Sequence, residues 1–307
     1  MIAIFFSNQF KLIDSKIIFM QSFKTCFLFL LLLSSFTAIA QKNTDTKEPD
    51  SIKNISLAGL SFRSIGPAVT GGRITALAVN SSNTSEYYAA SGHGSLWKTI
   101  NNGITFSPAF ENQSSFAMGA VAIDPSNTNI VWAGTGENNN QGNVIYGDGI
   151  YKSENGAKSW KNMGLKNSDH IGGIIIDPAN SNVIYVAAYG SLRNSGGDRG
   201  IYKTTDGGKN WRRVLFVSDN TGFFEVHMDP RYSTNIYAVA HQRMRKGYTG
   251  IGGGDETAIY KTIDSGATWQ KIMTGLPTES VGRIGLAISP ANPDVLYALV
   301  QAKENKF

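Results

Sequence analysis

The sequence predicts an all-β fold, a β-propeller built from four-stranded antiparallel blades, and three observations lead to that prediction. Two short sequence elements recur about every fifty residues, each repeat unit divides into four short strands, and helical periodicity is absent after residue 40. The composition, with 33 Gly, 9 Pro and 17% charged residues among 307, excludes collagen, coiled coil and wholesale disorder. We expect four complete blades and part of a fifth over residues 60–307.

The first repeated element is Ile or Leu, an aromatic residue, Lys and Ser or Thr, followed by a polar turn and a second aromatic residue. Its copies lie at 96–106, 150–160, 201–211 and 259–269. The second element is an apolar run, a polar turn, and then Ile or Val with an aromatic residue. Its copies lie at 122–133, 176–187, 228–239 and 288–299, with a looser copy at 78–90. Self-similarity at a fixed period, with frequent turns, is typical of a propeller or a solenoid.

The third unit shows how the strands, called A to D in chain order, are assigned. Strand A is expected at 172–176, strand B at 183–188, strand C at 200–204, and strand D from Trp211. These segments are rich in Ile, Val and Tyr and are bounded by Gly, Pro, Asn and Asp. The fifth unit has only strands A (283–288) and B (295–300). Since an open row of blades leaves strand edges unpaired, we expect the chain to be part of a larger propeller protein or a truncated gene product.

The turn between strands C and D has the pattern Ser/Thr-x-Asp-x-Gly-x-x-Trp, complete at 204–211 and 262–269 and degenerate at 99–106 and 153–160. Its Asp or Asn side chain can accept backbone N–H bonds within the turn, and its aromatic residue can pack between neighbouring sheets. We therefore predict structural, not catalytic, roles for Asn101, Asn155, Asp206, Asp264, Trp160, Trp211 and Trp269.

These turns resemble Asp boxes, the BNR repeats of sialidases, sortilin/Vps10 propellers and xyloglucan-active glycosidases. The sequence is most similar to secreted bacterial proteins often labelled "glycosyl hydrolase, BNR repeat" or sortilin-like, over residues 62–300. The motifs that carry the resemblance are FRSIGP at 62–67, GGRI at 71–74, YGDGIYKS at 146–153, RGIYKTTDGGKNW at 199–211 and GRIGLAISP at 282–290. The resemblance implies a propeller fold, and fold alone does not determine function.

The resemblance also identifies two departures from enzymatic relatives. Xyloglucan-active relatives carry a catalytic Asp after strand B of the first blade, and Gly92 stands at the matching position here. Sialidases need three arginines, of which only Arg63 has a counterpart in this sequence.

The first forty residues read as an export signal preceded by an upstream extension. Residues 20–40 combine Lys24, an apolar run and an Ala-Ile-Ala cleavage pattern ending at Ala40, so a secreted, extracellular or periplasmic protein is expected. The alternative is an N-terminal membrane anchor, and the true start is either Met1 or Met20. Residues 41–59 read as a polar, flexible lead-in.

Charge and composition exclude several partners and cofactors. The net charge of +5, from 28 basic and 23 acidic residues, is too small for the electrostatic footprint of a nucleic-acid-binding protein. Cys26 is the single cysteine and lies in the signal, so no disulfide or thiolate site is expected. His93, His170 and His241 lack the spacing of metal ligands, and no cofactor is expected.

Binding residues are expected in the loops between strands B and C, at 135–148, 189–199 and 241–257, because these loops are long and irregular. Asn, Tyr and Arg side chains there suit hydroxyl-rich glycans or a peptide carboxylate, and solvated loops without a ligand are the alternative. The candidates for ligand binding are Asn138, Tyr146, Arg193, Arg199, Arg243, Arg245 and Tyr248, with Glu137, Asn139, Asn140 and Asp148 beside them.

One pair of residues breaks the repeat at the innermost strand. Glu225 and His227 are two residues apart on strand A of the fourth unit, so they share a face, where most of the other units have small apolar residues. The pair is either a general acid/base or ligand anchor near the propeller axis, or an ion pair that ties strands together.

Three functions are compatible with the sequence. The first is an exported scaffold that binds a peptide or glycan through its B–C loops. The second is a glycoside hydrolase, which needs two carboxylates about 5–9.5 Å apart, drawn from Glu137, Asp148, Glu225 and Asp255. The third is a non-catalytic part of a larger secreted enzyme, with the remaining blades or domains as partners.

Overall fold

The computed structural model describes residues 72–139, 142–277 and 279–303. The expected signal at 20–40, the lead-in at 41–59, Arg63 and Asn140 lie outside these residues. The described part contains nineteen β-strands and a single three-residue 3₁₀ turn at Lys166–Ser168, so the all-β prediction is confirmed.

The strands form four complete blades and two strands of a fifth, all antiparallel. Blade one comprises β1 (Ile74–Val79), β2 (Tyr87–Ser91), β3 (Ser95–Thr99) and β4 (Ser107–Pro108). Blade two comprises β5 (Met118–Ile123), β6 (Val131–Thr135), β7 (Ile150–Ser153) and β8 (Lys161–Asn162). Blade three comprises β9 (Ile171–Asp177), β10 (Asn180–Ala188), β11 (Gly200–Thr204) and β12 (Arg212–Leu215). Blade four comprises β13 (Thr221–Asp229), β14 (Tyr232–Lys246), β15 (Thr249–Gly252), β16 (Ala258–Thr262) and β17 (Gln270–Ile272), and blade five comprises β18 (Ile284–Ile288) and β19 (Leu296–Val300).

The blades are arranged radially. The A strands β1, β5, β9, β13 and β18 lie beside one another in that order, around a common axis. In every complete blade, a backbone N–H of the C–D turn donates to a carbonyl of the A–B turn or of the first residues of strand B, so the C–D and A–B turns share one face. The four bonds are Asn102 to Ser85, Gly156 to Asn129, Gly207 to Asn182 and Ser265 to Thr234, at 2.8–3.1 Å. The B–C loops therefore project from the opposite face, as expected of a propeller.

The hydrophobic core is divided among the interfaces between blades. Each of four clusters joins the apolar face of one blade to that of the next, with Tyr88 and Met118 in the first and Trp132 and Ile174 in the second. The same packing continues from blade three through blade five. Since the Ile, Val and Tyr side chains of a strand point alternately to its two faces, each inner blade buries both faces.

The A strands approach one another too closely for side chains at two points. A Cβ on Gly119 would lie 2.1 Å from the carbonyl oxygen of Ile171, and a Cβ on Gly172 would lie 2.2 Å from the Cα of Phe224. The register of each of the four complete blades shifts at the corresponding position, which marks a β-bulge. Glycine at these points allows the inner strands to converge on the axis.

The Asp-box side chains bond within their own turns in all four complete blades. In blade four, the Asp264 carboxylate accepts bonds from Thr262 Oγ1 at 2.6 Å, Thr268 N at 2.9 Å and Thr268 Oγ1 at 2.6 Å. Asp206, Asn155 and Asn101 accept the equivalent backbone bond at 2.9–3.0 Å. These bonds favour the charged carboxylate, so the Thr262 and Thr268 side chains hold the pKa of Asp264 well below its usual range.

The tryptophans of the Asp boxes connect neighbouring blades. Trp160 Nε1 donates to the Ala109 carbonyl of blade one at 2.7 Å, and Trp211 Nε1 donates to the Met163 carbonyl of blade two at 2.8 Å. Trp269 packs against the cluster between blades three and four. Each tryptophan therefore contributes both apolar packing and, in two blades, a bond to the preceding blade.

The lysine of the repeat has a structural partner that sequence reasoning missed. In each complete blade, the strand C lysine lies directly across the ladder from the aromatic residue of strand B. The ammonium groups of Lys98, Lys152, Lys203 and Lys261 stand 5.1–5.6 Å from the ring centroids of Tyr88, Trp132, Tyr185 and Tyr237. This repeated cation–π contact explains why lysine follows the aromatic residue in every copy.

Several predicted boundaries differ from the observed ones. Residues 241–257 are not an irregular loop, because β14 extends to Lys246 and pairs with β15 in a hairpin. Strand B of the third unit begins at Asn180 rather than at residue 183, and strand D begins at Arg212, one residue after the tryptophan. Backbone pairing across these segments continues past the hydrophobic pattern that guided the prediction.

Two variants of Asp264 test whether the Asp-box side chain stabilises its turn by accepting backbone hydrogen bonds. Asp264→Asn should leave the melting temperature nearly unchanged, because Asn155 makes the same backbone bond in blade two and the Thr268 hydroxyl can accept from an amide. Asp264→Ala should lower the melting temperature by a few degrees, since the turn N–H groups lose their acceptor. Thermal unfolding followed by circular dichroism measures both, and equal melting temperatures for the two variants would contradict the assignment.

Candidate functional site

A cavity of about 410 Å³ opens on the propeller axis at the B–C end. We call it the axial cavity, and all five A strands contribute to its wall. Its polar side chains are Arg73, Thr75, Asn138, Asn139, Glu225, His227 and Arg283. Glycine backbone and apolar side chains of the A strands, among them Ile174, Phe224 and Leu286, form the rest of the wall.

The opposite end of the axis is chemically different. A cavity of about 570 Å³ lies among the A–B turns and is lined mainly by aliphatic residues and by Pro125, Pro178, Pro230 and Pro290. His227 lines both cavities. Polar groups that could bind a ligand are therefore concentrated at the B–C end.

The Glu225–His227 pair faces the axial cavity and also connects two blades. His227 Nε2 lies 3.2 Å from Glu225 Oε2, and the same oxygen accepts the Leu286 N–H of β18 at 2.8 Å. The Glu225 side chain is 26% exposed and the His227 side chain 31% exposed. The pair thus has solvent access for a ligand while it ties β13 to β18.

Glu137 is buried beside the side chains of Arg73 and His93. Its carboxylate accepts the Arg73 Nε–H at 2.5 Å, and His93 Nδ1 lies 3.3 Å from its other oxygen. A Cβ on Gly92 would lie 2.8 Å from the Glu137 Cδ. The Glu137 carboxyl therefore occupies the space beside residue 92, where the resemblance places a catalytic Asp in xyloglucan-active relatives.

Asp148 and Asp255 lie away from the axial cavity. Asp148 accepts bonds from the Ser114 hydroxyl and, at 2.6 Å, from the Tyr151 hydroxyl. Burial and this bond to Asp148 raise the pKa of Tyr151. Asp255 is exposed, and its backbone carbonyl accepts a bond from Lys271. Of the four carboxylates considered for hydrolysis, Glu225 alone lines the axial cavity.

Arg199 has no exposed surface and holds its own loop together. Its guanidinium donates to carbonyls of the loop after β10 at 2.5–3.0 Å, those of Tyr189, Ser191, Asn194 and Gly196. Burial lowers the pKa of Arg199. Its guanidinium thus bonds the carbonyls of its own B–C loop, and it does not line the axial cavity.

Arg243 is also fully buried and joins three blades. Its guanidinium lies over the Tyr189 ring, 3.2 Å from the centroid, and donates to the Asn139 carbonyl at 2.5 Å and the Gly190 carbonyl at 3.1 Å. Burial lowers the pKa of Arg243 to about 10. The residue lies behind the cavity wall, in contact with the backbone of Asn139, which lines the cavity.

The remaining loop candidates do not converge on one site. Asn138 lines the cavity, and its amide donates to the Gly119 carbonyl at 2.9 Å. Arg193 bonds the Gly142 carbonyl at 3.0 Å. Tyr146, Arg245 and Tyr248 are exposed and do not line the axial cavity, and Tyr248 forms the tip of the β14–β15 hairpin.

Arg73 and Arg283 are cavity residues that the loop analysis missed, because they precede A strands instead of lying in B–C loops. A signal for them exists in the sequence. Gly-Arg-Ile occurs at 72–74 and again at 282–284, and both arginines line the axial cavity. Within the described residues, no group of three His, Cys, Asp or Glu side chains could hold a metal ion. The described residues also contain no helix long and apolar enough to cross a membrane.

Comparison with known proteins agrees with this architecture. Residues 148–278 match the family model described as "Sortilin, neurotensin receptor 3". A xyloglucanase of Hypocrea jecorina is 26% identical over 200 residues, which cover 57% of this chain and 22% of that protein. A probable oligoxyloglucan-reducing end-specific xyloglucanase of Neosartorya fischeri is 29% identical over 142 residues, which cover 41% of this chain and 15% of that protein.

Solved structures show the same fold. An ancestral GH74 enzyme superposes with a TM-score of 0.57 at 20% identity, covering 76% of this chain and 30% of that one. The GH74 enzyme of Niastella koreensis gives a TM-score of 0.55 at 21% identity, covering 73% and 33%. The chain thus spans less than two thirds of each of these relatives. The resemblance to Asp-box propellers of the sortilin/Vps10 and glycosyl-hydrolase-like group is confirmed.

The buried His241 makes stability depend on pH. Tyr189 Oη lies 2.5 Å from His241 Nδ1, and burial lowers the pKa of His241 to about 4. The unfolded imidazole titrates near 6.5, so the unfolded state binds more protons between pH 6.5 and 4 and stability falls as pH drops through this window, by about 3 kcal/mol for this group. His241→Gln should reduce that loss. Urea unfolding at pH 7.5 and 4.5 measures the difference, and an equal loss in both proteins would contradict the prediction.

Proposed function

We propose that this chain is an exported propeller domain that binds a glycan in the axial cavity without hydrolysing it. The expected signal at 20–40 supports export, and the match to sortilin-type and xyloglucanase propellers supports a binding or carbohydrate-associated domain. The observation that carries the proposal is the concentration of polar side chains at one end of the axis.

The axial cavity has the donors and acceptors that sugar hydroxyls need. Asn138 and Asn139 bring amide groups, Glu225 brings an acceptor, and Arg283 brings donors, all beside apolar wall residues such as Ile174. Hydroxyl-rich ligands use such mixed surfaces, with few charged groups and many short polar contacts. A peptide is the alternative ligand that the loops suggested, and a peptide array beside the glycan array tests it.

Hydrolysis is less well supported than binding. A glycosidase of the usual type needs two carboxylates facing each other across the sugar. In the described residues, Glu225 is the one carboxylate that lines the cavity, and its Oε2 already accepts the Leu286 N–H. Gly92 and the ion-paired Glu137 leave the first blade without a free carboxylate at the position of the catalytic Asp in the relatives.

The outer faces of the row of blades support partnership with further blades or domains. Ile74 and Leu77 of β1 are each 61% exposed, and Leu299 of β19 is 77% exposed. Apolar side chains at these positions are covered by the neighbouring blade elsewhere in the row. We propose that this domain functions next to additional propeller blades of a larger secreted protein.

The full chain should bind a glycan on an array and release no new reducing ends from it. Ala76→Phe, which places a ring in the axial cavity, should weaken binding at least tenfold, because it excludes the ligand. Ala298→Phe on exposed β19 is the matched control and should bind like the parent. Calorimetric titration measures the affinities, and a reducing-sugar assay measures hydrolysis.

Three results would contradict the proposal. Reducing ends that disappear in Glu225→Gln would identify a hydrolase. Binding to a peptide array with no binding to glycans would identify a peptide receptor. Unchanged affinity of Ala76→Phe would place the ligand outside the axial cavity.

A further inference from the structure

Two arginines and two aromatic rings form a continuous stack beside the axial cavity. The Arg283 guanidinium lies over the Phe224 ring, 4.4 Å from its centroid. The Phe224 and Tyr189 rings are 5.7 Å apart, and the Arg243 guanidinium covers Tyr189 at 3.2 Å. A cation therefore stands at each end of a pair of neighbouring rings.

Neither cation of this stack has a carboxylate partner among the described residues. The ion pairs of those residues include Arg73 with Glu137 and Arg231 with Asp229, but none involves Arg243 or Arg283. Arg243 and Arg283 also repel each other, and this repulsion adds to burial in lowering the pKa of Arg243. Since a buried charge is costly without a counter-charge, the stack leaves positive charge to be neutralised at the cavity.

Arg283 is the member of the stack that a ligand can reach. It is half-buried and lines the axial cavity, whereas Arg243 is fully buried behind it. The backbone N–H of Arg283 donates to Gln301 Oε1, and its guanidinium makes the ring contact with Phe224. The planar fork of a guanidinium fits a carboxylate through two parallel bonds.

Glu225 restricts where a negative group can bind. Its carboxylate lies in the same cavity and is held by His227 and the Leu286 N–H. Like charges repel, so an anionic group is favoured next to Arg283 and disfavoured next to Glu225. Glu225 remains an acceptor for the neutral hydroxyls of the same ligand.

We propose that the glycan bound in the axial cavity contains uronic acid residues, and that the Arg283 guanidinium binds a uronate carboxylate. This inference depends on the proposed function, because it names the class of glycan that the same cavity takes. Arg243 does not contact the sugar and contributes its charge from behind the wall.

The test uses matched oligosaccharides. Oligomers of galacturonate, glucuronate and mannuronate are each titrated calorimetrically into the full chain, beside the same oligomers with their carboxylates reduced to hydroxymethyl groups. At least one acidic oligomer should bind about tenfold or more tightly than its reduced form, the size expected for hydrogen bonds to a charged group. The affinity for the acidic oligomer should fall as salt rises.

Variants of Arg283 assign the contact. Arg283→Gln should reduce the affinity for the acidic oligomer about tenfold and leave that for the reduced oligomer unchanged. Arg283→Lys keeps the positive charge but lacks the planar guanidinium. Its affinity for the acidic oligomer should therefore lie between that of the parent and that of Arg283→Gln. Arg213 is a matched control, because its exposed guanidinium also lies over a phenylalanine ring, 4.1 Å from the centroid of Phe216. Arg213→Gln should bind both oligomers like the parent.

The outcomes separate this inference from the proposed function. If acidic and reduced oligomers bind equally, or Arg283→Gln binds both like the parent, the uronate assignment is wrong and glycan binding stands. If no glycan binds, or if Arg283 serves a peptide carboxylate instead, both are wrong. Melting temperatures of the variants show whether Arg283→Gln is folded, and if it is not, Arg283→Lys decides in its place.

Discussion

The approach of the inner strands to the axis is the constraint on which the rest of the structure depends. At Gly119 and Gly172 one backbone meets the next strand with no room for a side chain, so the blades converge and their outer parts fan apart. Because side chains cannot fill the hub at these points, space remains at the two ends of the axis. Proline and aliphatic residues of the A–B turns line the cavity at one end, and polar groups line the cavity at the other.

Charge is distributed unevenly around that polar end. Arg73 is compensated by buried Glu137, and Arg199 is surrounded by loop carbonyls that satisfy its donors. Arg243 and Arg283 have aromatic faces as their main neighbours, and a ring quadrupole compensates a cation less fully than a carboxylate does. Arg243 and Arg283 therefore have no carboxylate partner among the described residues. The Glu225 carboxylate, in contrast, is already bonded to His227 and to the Leu286 N–H.

The radial fold could be predicted from the sequence because the repeat specifies local turns and strand alternation directly. The Asp-box residues are an example, since Asp264 bonds almost entirely within its own turn. The site was harder to predict, because its geometry comes from residues far apart in the chain. Arg243 reaches the Asn139 carbonyl 104 residues away, and its burial cannot be read from a polar loop sequence. The hairpin of β14 and β15 shows the same limit, since pairing extended beyond the apolar pattern.

The position of one carboxylate links the fold to the choice between hydrolysis and binding. In the first blade a side chain at residue 92 would collide with Glu137, which is fully buried and bonded to Arg73. A general acid must reach the glycosidic oxygen, and the fully buried Glu137 carboxyl is not positioned to do so. Among the described residues, Glu225 is then the one carboxylate that lines the axial cavity, and its Oε2 accepts the Leu286 N–H. The proposed role in glycan binding therefore rests on a cavity that can orient a sugar through fixed hydrogen bonds but that presents one carboxylate, where hydrolysis of the usual type needs two.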